Sequence, residues 1–324
     1  MSDVLAGVLS RAGWAEALHA PLAGDASARR YVRLHHSGRS AIVMQAPVAT
    51  QTDRDSLDAF LRVAGHLAAL GLSAPQIIDA APEAGIVLLE DLGDATLARL
   101  LARDPALGHL AYGVACEVTR VLARATLPEW AARPDAAAQA RMIALTLDLL
   151  PKGAGLDGLQ PALADLLARH AGGAPVLALR DYHADNLIWL DGRIGAARIG
   201  LLDFQDAVAL PLGYDLASLV DDPRRDVPSD WRSTLIARFA ADHDLPLAAA
   251  DARIATLSLL RNLRILGIFH RLATDGGKPH YRAFLPRTGA LIDRAVAHPA
   301  LAALRPAVAD LRARTAPWAD GVAA

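Results

Sequence analysis

Alternation of polar and apolar positions marks the early chain as strand-bearing. Tyr31-Val32-Arg33-Leu34-His35 alternates, Ser40-Ala41-Ile42-Val43-Met44 is a short apolar run, and His36-Ser37-Gly38-Arg39 between them has the composition of a hairpin turn. Pro47 closes the second strand. A helix follows, in which Leu57, Phe60, Leu61, Ala64, Leu67 and Ala68 recur at 3- and 4-residue spacings, with Thr52 or Asp53 as the expected cap and Gly71 as the stop. Pro75 to Asp79 and Gly85 to Glu90 read as two more strands. After Gly93 the pattern turns helical from about Thr96 to His170, with breaks near Pro128 to Pro134 and at Pro151-Lys152-Gly153. Pro175 to Asp203 reads as strand, loop, strand, turn, strand, and the chain from Tyr214 onward is helical again.

The expected fold class is α+β with two lobes: a small strand-rich N-lobe over residues 1–92 and a mostly helical C-lobe over 93–324. Composition agrees. The 324 residues are 53% hydrophobic but only 5% aromatic, because Ala and Leu dominate, and these favour helix over a β-sandwich. A net charge of -2 with this apolar content excludes a disordered chain, and a pI of about 6.6 gives no reason to expect nucleic acid. Apolar runs such as Leu67 to Leu72 stop far short of the roughly 20 residues a membrane span needs. The first residues lack the basic and apolar regions of a signal peptide, so a cytoplasmic location is expected, with neither a membrane nor an obligate protein partner implied. Cys116 is the single cysteine and is expected to pack in a helix, which excludes an internal disulfide. Only Lys152 and Lys278 are lysines among the 33 basic residues.

Arg180-Asp181-Tyr182-His183-Ala184-Asp185-Asn186, an apolar strand, and Leu201-Leu202-Asp203-Phe204 form the most site-like stretch. An acid, an Asn five residues on and a second acid beyond a strand is an arrangement that phosphoryl transfer can use. The first acid takes the proton of the attacking hydroxyl. The amide oxygen and the second acid offer the hard oxygen ligands that Mg²⁺ prefers.

These motifs resemble the catalytic and metal loops of the aminoglycoside phosphotransferase superfamily, relatives of the protein kinases. Gly24 to Tyr31, Val43 to Pro47, Leu88 to Asp94, Gly213 to Leu219, Arg261 to Phe269 and Lys278 to Tyr281 resemble, in order, one branch: the anomeric N-acetylmuramate/N-acetylglucosamine kinases of cell-wall recycling. The resemblance implies a protein-kinase-like fold using ATP and Mg²⁺ on a small-molecule sugar. Asp181 would be the catalytic base and Asn186 and Asp203 the metal ligands. Gly24, Asp25, Ala26 and Ser27 would loop over the phosphates, where glycine permits close backbone approach. Glu90, Asp91 and Leu92 would form the hinge that meets adenine, with Arg30 and Met44 also on the nucleotide. Asp185 and Asp206 would contact acceptor hydroxyls or a second metal, or serve equally well as supports, and Arg264 is a candidate acceptor contact. His183 and Asp215 would brace the catalytic loop, and Trp189 would lie in the core.

The strand that carries a phosphate-binding lysine in protein kinases reads Ile42-Val43-Met44-Gln45 here, so Arg29, Arg30 or Arg33 must meet that charge, or Mg²⁺ and backbone alone do. Arg261, Arg264 and Arg271 share one helix face, either as a solvated basic surface or as a clamp suited to the lactyl carboxylate of N-acetylmuramate. Other readings are an aminoglycoside, choline or homoserine kinase of the same fold, or a nucleotide-binding regulatory module without catalysis. A polycationic aminoglycoside needs an acidic pocket, whereas Asp221-Asp222 is followed at once by Arg224-Arg225. A protein kinase needs a longer activation segment than Phe204 to Gly213.

Overall fold

In chain order the elements of the computed structural model, which describes residues 3–22, 28–151 and 156–321, alternate before they become helical. They run α1 (Asp3–Arg11), β1 (Leu18–Pro21), β2 (Arg30–His36), β3 (Arg39–Gln45), α2 (Gln51–Ala69), β4 (Ile77–Ala81), β5 (Ile86–Glu90), α3 (Leu97–Arg103) and α4 (Gly108–Arg124). There follow α5 (Ala136–Ala140), α6 (Ala144–Asp148), α7 (Leu159–His170), β6 (Pro175–Ala178), β7 (Leu187–Trp189), β8 (Ile199–Leu201) and β9 (Val208–Pro211). The chain closes with α8 (Tyr214–Val220), α9 (Ser229–Asp242), α10 (Leu247–Thr274), α11 (Leu285–Ala297) and α12 (Arg305–Thr315). Two compact units result: residues 1–121 with 184–207, and residues 122–183 with 208–324. This packing division differs from one drawn after residue 92, because the β7–β8 hairpin hydrogen-bonds into the first unit through Leu201 N–H to Ser73 C=O (2.8 Å) and Trp189 N–H to Ala95 C=O (2.8 Å).

In the first unit an antiparallel sheet runs in the order β1-β2-β3-β5-β4. Period-2 alternation gives the sheet two uses. Leu34, Ala41, Val43, Ile86 and Leu88 form a core cluster with Leu5, Val8, Leu9 and Trp14, so α1 covers one face. Tyr31, Arg33, Ile42 and Leu89 are the intervening positions, and Arg33 and Leu89 both pair with Ile42. Helix α1 carries Leu5, Val8 and Leu9 at i, i+3 and i+4, a legible amphipathic signal that the strand-centred reading passed over.

The α2 cap is Thr50, not Thr52 or Asp53. Thr50 Oγ1 accepts from Asp53 N–H (3.1 Å) while Asp53 Oδ2 accepts from Thr50 N–H (2.9 Å), a reciprocal box that makes Asp53 the third helical residue. The buried stripe runs Leu57, Phe60, Val63, Ala64, Leu67, whereas Leu61 is half-buried and Ala68 exposed. Gly71, at φ +73°, ends the turn as expected.

In the second unit β6 pairs antiparallel with β9, a four-residue apolar strand absent from the sequence reading. Helix α10 packs against α6, α7, α8, α9 and α11. Nearly every residue from Ile254 to Gly267 is buried, so its apolar character runs around the whole helix. A Cβ on Gly267 would lie 2.5 Å from Thr146 Oγ1 and 2.8 Å from the Thr146 backbone, and that hydroxyl also accepts from Gly267 N–H (3.0 Å). Mid-helix Gly→Ala ordinarily gains up to about 1 kcal/mol. Gly267→Ala is instead expected to destabilise the protein by about 1–3 kcal/mol through overpacking, read from the denaturation midpoint. A stabilised variant would show that α6 can move away.

Candidate active site

The residues foreseen from the motifs are divided between the two units. In the first unit a cavity of about 490 Å³, within the usual range for small-molecule sites, opens on the sheet face opposite α1. Its apolar walls include Ile42, Phe60, Leu89, Leu92, Ile188 and Leu202, and its polar lining includes Glu90, Asp91, Asp185, Asn186 and Asp203. The structure thus gathers the hinge residues and both foreseen metal ligands around one space. Exposed Asp206 is not among the lining residues, nor is Met44, which is fully buried within the sheet on the Ile42 face. Arg30 is exposed on β2. Gly24, Asp25, Ala26 and Ser27 lie outside the described residues.

Ion pairs on both sides hold the Glu90 to Asp94 segment, the expected hinge. Arg33 reaches Asp91 through Nε (2.7 Å) and Asp94 through Nη1 (2.7 Å), which pushes its pKa further up. Asp91 Oδ1 accepts from Gly93 N–H (2.9 Å), and Glu90 is paired with Arg193 from the β7–β8 turn. A Cβ on Gly200 would meet Leu92 Cδ1 at 2.9 Å and Ile188 Cβ at 3.0 Å, so glycine lets the hairpin approach the hinge. Trp189 is core, as expected, and its Nε1 donates to Asp191 (2.9 Å).

The three candidate arginines separate by what they touch. Arg33 is committed to the hinge and Arg30 to the surface. Arg29 is buried: Nη2 donates to Ser56 Oγ of α2 (2.9 Å), and Nη1 donates to Gln205 Oε1 (3.0 Å). Gln205 Nε2 in turn donates to Asp203 Oδ1 (2.8 Å). Asp203 sits at φ +56°, a left-handed conformation of the kind strained functional positions adopt. Phe60 and Phe204 stack at 5.1 Å behind it. This relay from Arg29 through Gln205 was missed because Gln205 carries no charge signal in the sequence. Asn186 offers an amide oxygen and Asp203 a carboxylate to the same cavity, a hard-oxygen donor pair whose chemistry fits Mg²⁺.

In the second unit half-buried Asp181 follows Arg180, whose φ of +70° makes a tight turn after β6. Asp215, at the start of α8, fixes that turn. Its buried carboxylate accepts from Leu179 N–H (2.7 Å) and Arg180 N–H (3.0 Å), and Ser218 Oγ donates to Arg180 C=O (3.2 Å). Burial raises the Asp215 pKa to about 6 against the lowering pull of the two amides, and the nearby Asp181 charge adds to the rise. His183 is buried, and burial aided by Arg224 depresses its pKa to about 3, which leaves a neutral imidazole at physiological pH.

The α10 arginines do not share one solvated face. Arg261 is 1% exposed, Arg264 is half-buried and only Arg271 is exposed, because α10 is enclosed over this stretch. Asp221 and Asp222 are buried as well, paired with Arg232 and Arg224, so they form no acidic surface patch. Cys116 is half-buried on α4.

Residues 19–252 match the phosphotransferase enzyme family, and the chain belongs to that family. It is 37% identical to an N-acetylmuramate/N-acetylglucosamine kinase of Caulobacter vibrioides, with 93% of each chain covered. It is 33% identical to a protein of that name from Pseudomonas aeruginosa, over 92% of this chain and 91% of the relative. Among solved structures, an aminoglycoside phosphotransferase in a ternary complex with ADP and hygromycin B superposes with a TM-score of 0.59 at 14% identity, covering 91% of this chain and 99% of the other. The kinase-like α+β fold expected from the motifs is the fold observed.

Two measurements check the loop. Asp215→Ala removes the acceptor of two N–H groups, the Leu179 one buried and the Arg180 one half-buried, and is expected to cost about 2–4 kcal/mol in chemical denaturation; a loss under about 1 kcal/mol would mean that water reaches both amides. His183 binds a proton near pH 6.5 when unfolded but only near 3 when folded, so its contribution is intact above about 6.5 and fades as pH falls toward 3. The stability gap between wild type and His183→Gln should therefore narrow by about 1.4 kcal/mol per pH unit between pH 6 and 4. A constant gap would show a solvated imidazole.

Proposed function

We propose that this phosphotransferase transfers the γ-phosphate of ATP to the anomeric hydroxyl of N-acetylmuramate or N-acetylglucosamine, giving the sugar 1-phosphate for cell-wall recycling in the cytoplasm. The observation that carries the reading is full-length similarity to kinases of that name, joined to a cavity lined by hinge, Asn186 and Asp203 together.

The chemistry follows from the residues. Backbone groups of Glu90 to Leu92 would take the adenine edge, on a hinge that Arg33 and Arg193 hold still. Asn186 and Asp203 would hold Mg²⁺, which when bound offsets phosphate charge. Arg29 keeps Asp203 oriented through Gln205, so an arginine-based relay supports the metal loop in a lobe that has no lysine. Asp181 accepts the proton of the sugar hydroxyl as that oxygen attacks phosphorus in line. Asp215 holds the backbone just before Asp181, which fixes where the base can point. No covalent phospho-enzyme is required.

The test is ADP release from Mg-ATP with N-acetylmuramate, N-acetylglucosamine, glucose, choline and kanamycin as acceptors. Turnover should be confined to the two N-acetyl sugars, and Asp181→Asn should lower kcat by about 10²–10⁴-fold with the ATP KM unchanged. Preferred turnover of choline or kanamycin would sink the sugar assignment and keep the fold.

A further inference from the structure

Helix α10 carries a charge that the reaction so far does not use. Arg261 lies near its middle, 1% exposed, and none of its three guanidinium nitrogens has a hydrogen-bond acceptor among the described residues. Desolvating an unpaired guanidinium costs several kcal/mol, so packing alone would favour Met or Leu at this position. The ionisable groups that act on it are Asp222, Tyr214, Arg224 and Asp181, all in the second unit.

Two of those groups also have unused hydrogen-bonding capacity. Asp222 Oδ1 accepts from the Arg224 amide (3.2 Å) and Arg224 Nη1 (3.1 Å), but its buried Oδ2 has no partner among the described residues. Arg224 is itself braced over the Phe269 ring at 5.2 Å. The Tyr214 hydroxyl is buried and likewise unpartnered. A donor-only guanidinium, an acceptor-only carboxylate oxygen and a hydroxyl able to do either are the complement of a sugar edge. Such an edge presents hydroxyls that must both donate and accept beside oxygens that only accept.

We propose that Arg261, Asp222 and Tyr214 form the binding subsite for the acceptor sugar, with Arg261 donating to its oxygens and Asp222 Oδ2 accepting a ring hydroxyl. The inference rests on the sugar-kinase reading and deepens it. Of the three α10 arginines it assigns acceptor recognition to the buried Arg261 rather than to the half-buried Arg264 one turn later.

The experiment uses the full chain, wild type, Arg261→Met and Asp222→Asn. It combines equilibrium titration with N-acetylglucosamine and N-acetylmuramate, steady-state kinetics for sugar and ATP, and thermal unfolding. The expected result is an acceptor Kd and KM raised on the order of 10- to 100-fold in both variants, with the ATP KM unchanged. The unfolding midpoint of Arg261→Met should be equal or higher, because a buried charge without direct partners has been removed. A lowered midpoint with unchanged acceptor binding would make Arg261 a structural cation and overturn the proposal. Acceptor and ATP KM rising together would do the same. Should Arg261→Met fail to fold, unchanged acceptor binding by Asp222→Asn overturns the proposal, and a raised Kd supports it. If the wild type neither binds nor phosphorylates either sugar, the sugar-kinase reading falls and the subsite with it; if it does both and the variants match it, the subsite alone falls.

Discussion

A buried carboxylate spanning two amide groups holds the turn before Asp181 in place. Asp215 takes the N–H of Leu179 and of Arg180 at the point where the chain leaves β6 and turns through a left-handed residue. Both amides lie beyond the last residue of β6, the Leu179 one buried and the Arg180 one half-buried, so without this carboxylate the turn would lose the acceptor of two donors. The arrangement has a cost of its own, since full burial works against the charge that makes the carboxylate a good acceptor. What it secures is direction: the backbone that leads into Asp181 has one conformation.

The first unit solves a different problem by the simplest rule of strand geometry. Alternate residues of β2, β3 and β5 point to opposite faces, so one set makes a core with α1 and the other lines the cavity. Charge then fixes the edges. Arg33 bridges Asp91 and Asp94, Arg193 holds Glu90, and Arg29 ties α2 to Gln205 beside Asp203. Arg29 and Arg33 thus perform fixed, multi-point tasks for which a planar guanidinium is better suited than an ammonium group.

Much of this was legible from the residues in order. Alternation located β2 and β3, spacing located α2, and the acid-to-Asn-to-acid series located Asp181, Asn186 and Asp203. Two of these, Asn186 and Asp203, then line the cavity with the hinge. What escaped depends on tertiary contact. Gln205 is an unremarkable amide until Arg29 and Asp203 are found on its two ends. Arg261 sits at helical spacing from Arg264 and Arg271, and periodicity alone cannot tell a solvated arginine from a buried one. The α2 cap moved by two residues because Thr50, Thr52 and Asp53 are all chemically able to cap, and only the reciprocal bond selects one.

The use of arginine has a consequence for chemical intervention. The chain has no lysine before Lys152, and neither lysine nor cysteine is among the residues lining the cavity. Reagents that acylate a nucleophilic amine, or alkylate a thiol, would find no target among the lining residues. A guanidinium, protonated throughout the physiological range, does not substitute for either nucleophile. Reversible inhibitors of this cavity would draw affinity from the Ile42 and Leu89 wall and from complementarity to the Asp185, Asn186 and Asp203 rim, and a covalent one would have to address the Tyr31 phenol or a carboxylate.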